Sequence, residues 1–214
     1  MARKTTAPAQ LYVLAGVNGA GKSSIAGAAI RAAGGQYYNP DEAAREIMAA
    51  NPGLGQTQAN AAAWEQGRKL LERAIDQRLD FTFETTLGGH TMPRLVAEAA
   101  SRGIEVHIFH IGLGSADAHI ERVRQRVRAG GHDIPEADIR RRYRHSLLNL
   151  VQLLPALTEL RVYDNSATAD PATGQSPRPV LVLHMKRGRI VGPADLACTP
   201  DWAKPIVAAA LQLR

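Results

Sequence analysis

A three-layer α/β/α architecture on a mainly parallel sheet, with a helical arginine-rich lid, is what this sequence predicts, and three observations carry it. Short apolar runs alternate with segments of helical periodicity along most of the chain, the pattern of strands joined by crossover helices. The first of these runs, "QLYVLA", leads straight into Gly16–Ser23, which matches G-x-x-x-x-G-K-[ST] and opens a helical segment. Eight arginines fall between Arg122 and Arg144, on two helical segments around a Gly-rich break, while the whole chain has five lysines.

The elements follow in order. Residues 10–15 read as a buried strand, and "KSSIAGAAIRAA", from Lys22 to about Ala33, as a helix stopped by Gly34-Gly35. "QYYN" reads as a brief second strand and "NPDEAAREIMAA" as a second helix. Beyond the loop "NPGLGQT", a long segment places Ala63, Trp64, Leu70, Leu71, Ala74 and Ile75 at helical spacing. "DFTFETTLGG" switches to strand chemistry and a turn. "TMPRLVAEAASRG" is a helix, "IEVHIFHIGL" a strand, and "SADAHIERVRQRVRAGG" a helix entered through Ser115 and closed by Gly130-Gly131. "PEADIRRRYRHSLLNLVQLLPAL" is a long helix and "ELRVYDNS" a strand. A polar loop over 167–179 precedes "VLVLHMKRGRIV", a hairpin turning at Arg187-Gly188, and a final helix starts near Trp202. The alternation indicates a parallel sheet covered on both faces. One domain over residues 1–214 is expected, with a lid at about 117–147 and C-terminal strands and a helix in 160–214.

Composition narrows the function classes. A 45% hydrophobic content suits a globular core, and one cysteine, Cys198, excludes an internal disulfide framework and fits a reducing compartment. The run "LYVLA" is too short for a signal-peptide core, and no stretch of eighteen apolar residues exists, so a cytoplasmic protein without a membrane span is expected. A net charge of +6 suits nucleic acid or a phosphate-rich small substrate. Aromatics are 5% and are not interleaved with the arginines, so the stacking platform of a single-strand binder is missing and nucleic acid is not favoured.

The glycine-rich loop carries the strongest chemistry. Gly16, Gly19 and Gly21 let successive backbone N–H groups point at phosphate oxygens, and the following helix adds its positive end. Gly16, Asn18, Gly19, Ala20, Gly21, Lys22, Ser23 and Ser24 are therefore the expected nucleotide-binding residues, for ATP or GTP. Lys22 reaches the β- and γ-phosphates and Ser23 binds Mg²⁺. This makes the architecture of the P-loop NTPase type.

Asp41 has two readings. In "NPDE", Asn39 is a good N-cap, Pro40 suits the first turn, and Glu42 completes a capping-box spacing, so on the first reading Asp41 simply complements the helix dipole. It also follows the second strand at the carboxyl edge of the sheet, where a carboxylate can take a proton from an acceptor hydroxyl. Glu84 ends the strand "FTF" and is either surface chemistry or a holder of the metal's water shell, with Thr85 and Thr86 as nearby donors to substrate. Arginines 122, 126 and 140–142 are either a solvated basic face or a lid that brackets phosphates. His132 is either loop packing or a substrate contact.

Together "GVNGAGKSS", "NPDEAAREI", "FETTLGG", "RVRAGGHDIP", "IRRRYRHSLLNL" and "VYDNS", in that order, resemble the zeta toxin family of P-loop kinases over residues 11–166. The resemblance implies an ATP- and Mg²⁺-dependent kinase. It places phosphate and metal contacts at Lys22 and Ser23, the general base at Asp41, the acidic strand-end residue at Glu84, and phosphate-clamping arginines at Arg126 and Arg141 or Arg142. It also implies a small-molecule acceptor, the 3′-hydroxyl of the sugar in UDP-N-acetylglucosamine, and a small helical antitoxin as partner. The chain is shorter than those toxins and has "FETTL" where they have a more Gly-rich turn. It is closer to relatives labelled ABC-type ATPases, although it has no "LSGGQ"-like signature. Two other classes stand beside this one: a nucleotide-dependent switch or nucleic-acid-stimulated ATPase, and a kinase acting on a polynucleotide end.

Overall fold

Three consecutive positions of the first strand, Leu14 among them, are fully buried, as befits a strand with neighbours on both sides. In the computed structural model, which describes residues 7–32, 34–167 and 178–213, that strand (β1, Gln10–Ala15) lies between β2 (Phe81–Thr85) and β3 (Glu105–Gly112) and is parallel to both. β4 (Glu159–Asp164) adds in parallel to β3. A hairpin, β5 (Val180–Lys186) and β6 (Arg189–Gly192), completes the sheet in antiparallel sense, giving the order β2-β1-β3-β4-β5-β6. The chain runs outward on one side of β1 and then on the other, so a crevice opens at β1's carboxyl end, where ligands of α/β sheets bind.

The expected second strand "QYYN" shrinks to one parallel bridge, Tyr38 to Phe83, with Tyr38 N–H donating to Thr82 and Glu84 N–H donating to Tyr38. The reason is local. Asn39 is already the N-cap of α2 (Pro40–Ala50), accepting from the backbone N–H of Asp41 and Glu42, so no residues remain to extend the strand. Glu42 does not close a reciprocal capping box; its carboxylate pairs with Arg31.

After the glycine loop the chain makes one π-helical turn, Ser23–Gly27, and continues as α1 (Ala28–Ala32). The expected end of that helix at Ala33 and most of the loop expected over 167–179 lie outside the described residues. Helices α3 (Gln56–Gln77), α4 (Thr91–Ser101), α6 (Glu136–Leu153) and α7 (Lys204–Leu211) supply the main core, in which Leu71, Leu95, Leu150 and Ile206 meet Leu11, Val13, Val106 and Leu160. Each fully buried Leu or Ile contributes about 1.5–3 kcal/mol of transfer free energy. The two sheet faces are unequal. β3 alternates between buried Val106 and Ile108 and half-buried His107 and Phe109, so one face is packed more deeply than the other.

Two satellite clusters position the site. Ala43 and Ala44 of α2 face Ala59 and Ala63 of α3, small side chains that let these helices approach closely. Under the lid, Ile120 and Val123 of α5 (Ala116–Arg128) meet Ile134, Ile139 and the loop residue Val17. The lid thus shares a small core with the glycine loop. Trp202 is buried, and its indole N–H donates to Asp164 at 3.2 Å. Trp64, expected among the core positions of α3, is instead 43% exposed. Among the described residues no helix is long and apolar enough to cross a membrane.

Candidate active site

The glycine loop sits where β1 ends. Gly16 adopts φ 144°, and a Cβ there would lie 2.2 Å from the Ile111 carbonyl oxygen, so only glycine fits. Gly19 and Gly21 also have positive φ, at 81° and 93°. Lys22 is 6% exposed; its ammonium lies 3.5 Å from Glu84 Oε1 and 3.4 Å from the Val17 carbonyl. Ser23 Oγ donates to Glu84 Oε2 at 2.8 Å, and Asn39 Nδ2 reaches Ser23 Oγ at 3.4 Å. The strand end of β2 therefore delivers its carboxylate directly to the lysine and serine of the loop. Ser24 turns back to the Gly21 carbonyl and is exposed.

A serine hydroxyl and a carboxylate 2.8 Å apart form a hard-oxygen pair. Neighbouring ligands of an octahedral ion with bonds of about 2.1 Å are themselves about 3 Å apart, so the pair fits Mg²⁺, which takes few protein ligands and keeps phosphate and water for the rest. No group of three or more His, Cys, Asp or Glu suited to a metal occurs among the described residues.

The lid grips the same loop from above. His119 of α5 donates from Nδ1 to the Asn18 carbonyl at 2.9 Å, and Arg142 of α6 donates from Nη1 to Asn18 Oδ1 at 2.8 Å. Arg122 donates to the Asn165 carbonyl at 2.5 Å and to that of Ala167 at 3.2 Å, while Asn165 Nδ2 donates to the Ala20 carbonyl at 2.9 Å. Burial pushes the Arg142 guanidinium down from its ordinary value, opposed by Asp138. Burial does the same to Arg122, opposed by Asp164. Both remain cations; Arg142 also lies 3.8 Å from Asp138 Oδ2, while Arg122 has carbonyls as its hydrogen-bond partners. Burial also holds His110 at about 3 and His119 at about 4, so both rings are neutral.

Asp41 lies across the crevice, at the start of α2. Arg126 Nη1 is 3.7 Å from Asp41 Oδ2, His132 Nε2 is 3.9 Å from Asp41 Oδ1, and Arg126 donates to the His132 carbonyl at 3.1 Å. A cavity of about 630 Å³ runs from Lys22 and Glu84 past Asp41, Thr85, Thr86 and His132 to Arg141 and Arg142. The expected acceptor-side residues thus line one space. Arg126 does not line that space but touches Asp41 and His132, which do, and Arg141 pairs with Asp138 at 2.9 Å. The lid arginines reach different partners: Arg122 the Asn165 and Ala167 carbonyls, Arg126 Asp41, and Arg140 Asp117.

The turn after β2 is tense and pinned. Leu87 has φ 52°, rare for a leucine, and the Thr85 and Thr86 hydroxyls accept from the N–H groups of Leu87 and Gly88 at 3.2 Å each. Asn149 of α6 donates to the Leu87 and Gly89 carbonyls at 2.6 and 2.8 Å. Sequence reading missed Asn149, Asn165 and His119. Asn149 interrupts the apolar run "LLNLV", whereas His119 and Asn165 lie among polar neighbours and carry no such signal.

A mainly parallel sheet with a lysine-bearing phosphate loop, an acidic strand end and an arginine-rich lid defines a nucleotide-dependent phosphotransferase of the P-loop kinase type. The Zeta toxin family model matches residues 2–170, and the chain belongs to that family. An uncharacterized protein of Haemophilus influenzae (strain ATCC 51907 / DSM 11121 / KW20 / Rd) is 32% identical over 131 residues, 60% of this chain and 88% of that one. Two solved structures share the fold. One is the AvrRxo1-ORF1:-ORF2 crystal structure with ATP (TM-score 0.66, 15% identity, 95% of this chain). The other is from the PezAT chromosomal toxin-antitoxin system of Streptococcus pneumoniae (TM-score 0.54, 15% identity, 75% of this chain). This chain spans 64% of the length of the first and 69% of the second.

Proposed function

We propose that this protein is a kinase that moves the γ-phosphoryl group of ATP to a hydroxyl of a nucleotide sugar, a UDP-N-acetyl sugar by preference, with residues 1–214 acting as one domain in the cytoplasm. One observation carries the reading: Asp41 lines the same cavity as Lys22 and Glu84, so a proton acceptor and a phosphate-binding lysine face one space. A hydrolase would need only water there, whereas about 630 Å³ has room for an organic acceptor.

The chemistry follows from the residues. The acceptor O–H gives its proton to the Asp41 carboxylate as its oxygen bonds to the γ-phosphorus, and the bond from that phosphorus to the β,γ-bridging oxygen breaks to leave ADP. Lys22 leaves Glu84 to meet the β- and γ-phosphates. Arg142, with Arg141, offsets charge on the transferring group, and Arg126 acts on it through its pairing with Asp41. Ser23 and Glu84 would hold Mg²⁺, which supplies further neutralisation of the phosphates when bound. Thr85, Thr86 and His132 line the acceptor's side.

The partner reading rests on analogy. The AvrRxo1-ORF1:-ORF2 and PezAT structures are of paired proteins, and a small helical antitoxin covering the crevice is the corresponding partner here. The test is direct. Purified protein is incubated with ATP, Mg²⁺ and a panel of UDP-sugars, nucleosides and oligonucleotides, and the new phosphate is located by mass spectrometry. A phosphorylated UDP-sugar supports the reading; ADP and free phosphate alone would replace it with an ATPase.

A further inference from the structure

One stripe of α3 is not used by the transfer chemistry. Gln56, Asn60, Trp64 and Gly67 recur at spacings of four, four and three residues, which puts them on one helix face, and all four line the cavity. Gln56 Nε2 donates to Asn60 Oδ1 at 2.8 Å. That bond leaves Gln56 Oε1 as an acceptor and Asn60 Nδ2 as a donor, one of each. Trp64, one turn further on, is 43% exposed although it is the largest side chain on this wall. Tyr38 and Met92 extend the apolar surface around it.

Charge is distributed unevenly along the cavity. The Lys, Arg, Asp and Glu residues that line the cavity belong to the glycine loop, the start of α2, the end of β2 and the lid, and its histidines, His90 and His132, to the start of α4 and the lid, whereas the α3 wall contributes only amides, Thr57, Gly67 and the indole. A large exposed indole beside neutral amides suits a flat, uncharged ring with both donors and acceptors on its edge. Sites that hold only sugar hydroxyls commonly use carboxylates, and the α3 wall has none facing the cavity.

We propose that the Gln56–Asn60–Trp64 stripe is the subsite for a nucleobase-type ring of the acceptor, stacked on Trp64 and read at its edge by the two amides. This rests on the kinase reading above for the identity of the cavity, and it narrows the acceptor to molecules that carry a heteroaromatic base, excluding simple sugars and sugar acids.

Binding of UMP, AMP and methyl N-acetylglucosaminide is measured calorimetrically with the donor site filled by AMP-PNP and Mg²⁺, for wild type, Trp64→Phe and Trp64→Ala. Thermal melts and AMP-PNP affinity check that each variant is folded. Base stacking leads us to expect UMP or AMP to bind wild type, Trp64→Phe to retain most of that affinity, and Trp64→Ala to lose about tenfold or more. In turnover, Trp64→Ala should raise KM for a nucleotide-borne acceptor with kcat little changed. Binding of the glycoside but neither nucleotide would overturn the proposal, as would a Trp64→Ala variant with unchanged nucleotide affinity. Trp64-dependent nucleotide binding without phosphorylation of any acceptor would uphold the subsite while removing the kinase reading.

Discussion

Arg142 of the second lid helix donates to Asn18 Oδ1 at 2.8 Å, tying the lid to the middle of the phosphate-binding loop. His119 of the first lid helix holds the carbonyl of the same residue. Lid position and loop conformation are therefore joined at Asn18.

Removing the Arg142 guanidinium should cost both this tie and charge compensation during transfer. Arg142→Ala is expected to lower kcat about 10²- to 10³-fold. Asn18→Ala, which removes the tie alone, should act mainly on the KM for ATP. Steady-state kinetics of the two variants separates these roles.

Lys22 and Glu84 form a close pair with side chains only 6% and 9% exposed. Lys22→Ala leaves the carboxylate buried without its cation, at a stability cost of about 3 kcal/mol. The double variant Lys22→Ala/Glu84→Gln should recover much of that loss in denaturant melts, yet remain inactive in phosphoryl transfer. Recovery of activity in the double variant would contradict the role given to Lys22.

Gly67 admits the Tyr38 ring: a Cβ at residue 67 would lie 2.6 Å from Tyr38 Cε1. Alanine gains about 1 kcal/mol in helix propensity, but overpacking a tight contact costs about 1–3 kcal/mol. The clash should prevail, because Tyr38 is also held by its hydroxyl to the Ala63 carbonyl. Gly67→Ala is expected to lower Tm in calorimetry.

His110 and His119 are held neutral by burial, at about 3 and about 4. An unfolded histidine protonates near pH 6.5, so between that pH and about 4 the unfolded chain binds more protons than the native one. Stability is therefore fully present above about pH 6.5 and falls as pH drops, by up to about 1.4 kcal/mol per pH unit for each ring. Urea melts from pH 7 to pH 5 should show this loss, and His119→Gln should flatten the slope.

Much of the framework was legible because it is written in local chemistry. The loop Gly16–Ser23 needs glycines at fixed positions, and the helix start at Asn39-Pro40 is set by a cap, so both are found from neighbouring residues alone. "QYYN" failed because the same cap that announces α2 ends the strand before it can form. Trp64 failed for another reason. Helical spacing marks a face but not what that face meets, and the neighbouring Ala63, not Trp64, turns into the α2 contact. The polar ties Asn149, Asn165 and His119 join residues 60 to 145 positions apart, and nothing local announces such pairings.

The central claim is that Asp41 takes the acceptor's proton. Asp41→Asn keeps the shape and removes the base, so γ-labelled ATP and a confirmed acceptor in single turnover provide the most direct measurement. The account predicts that label transfer to the acceptor hydroxyl falls by about 10²-fold or more while ATP binding persists. Transfer by Asp41→Asn at the wild-type rate would contradict it.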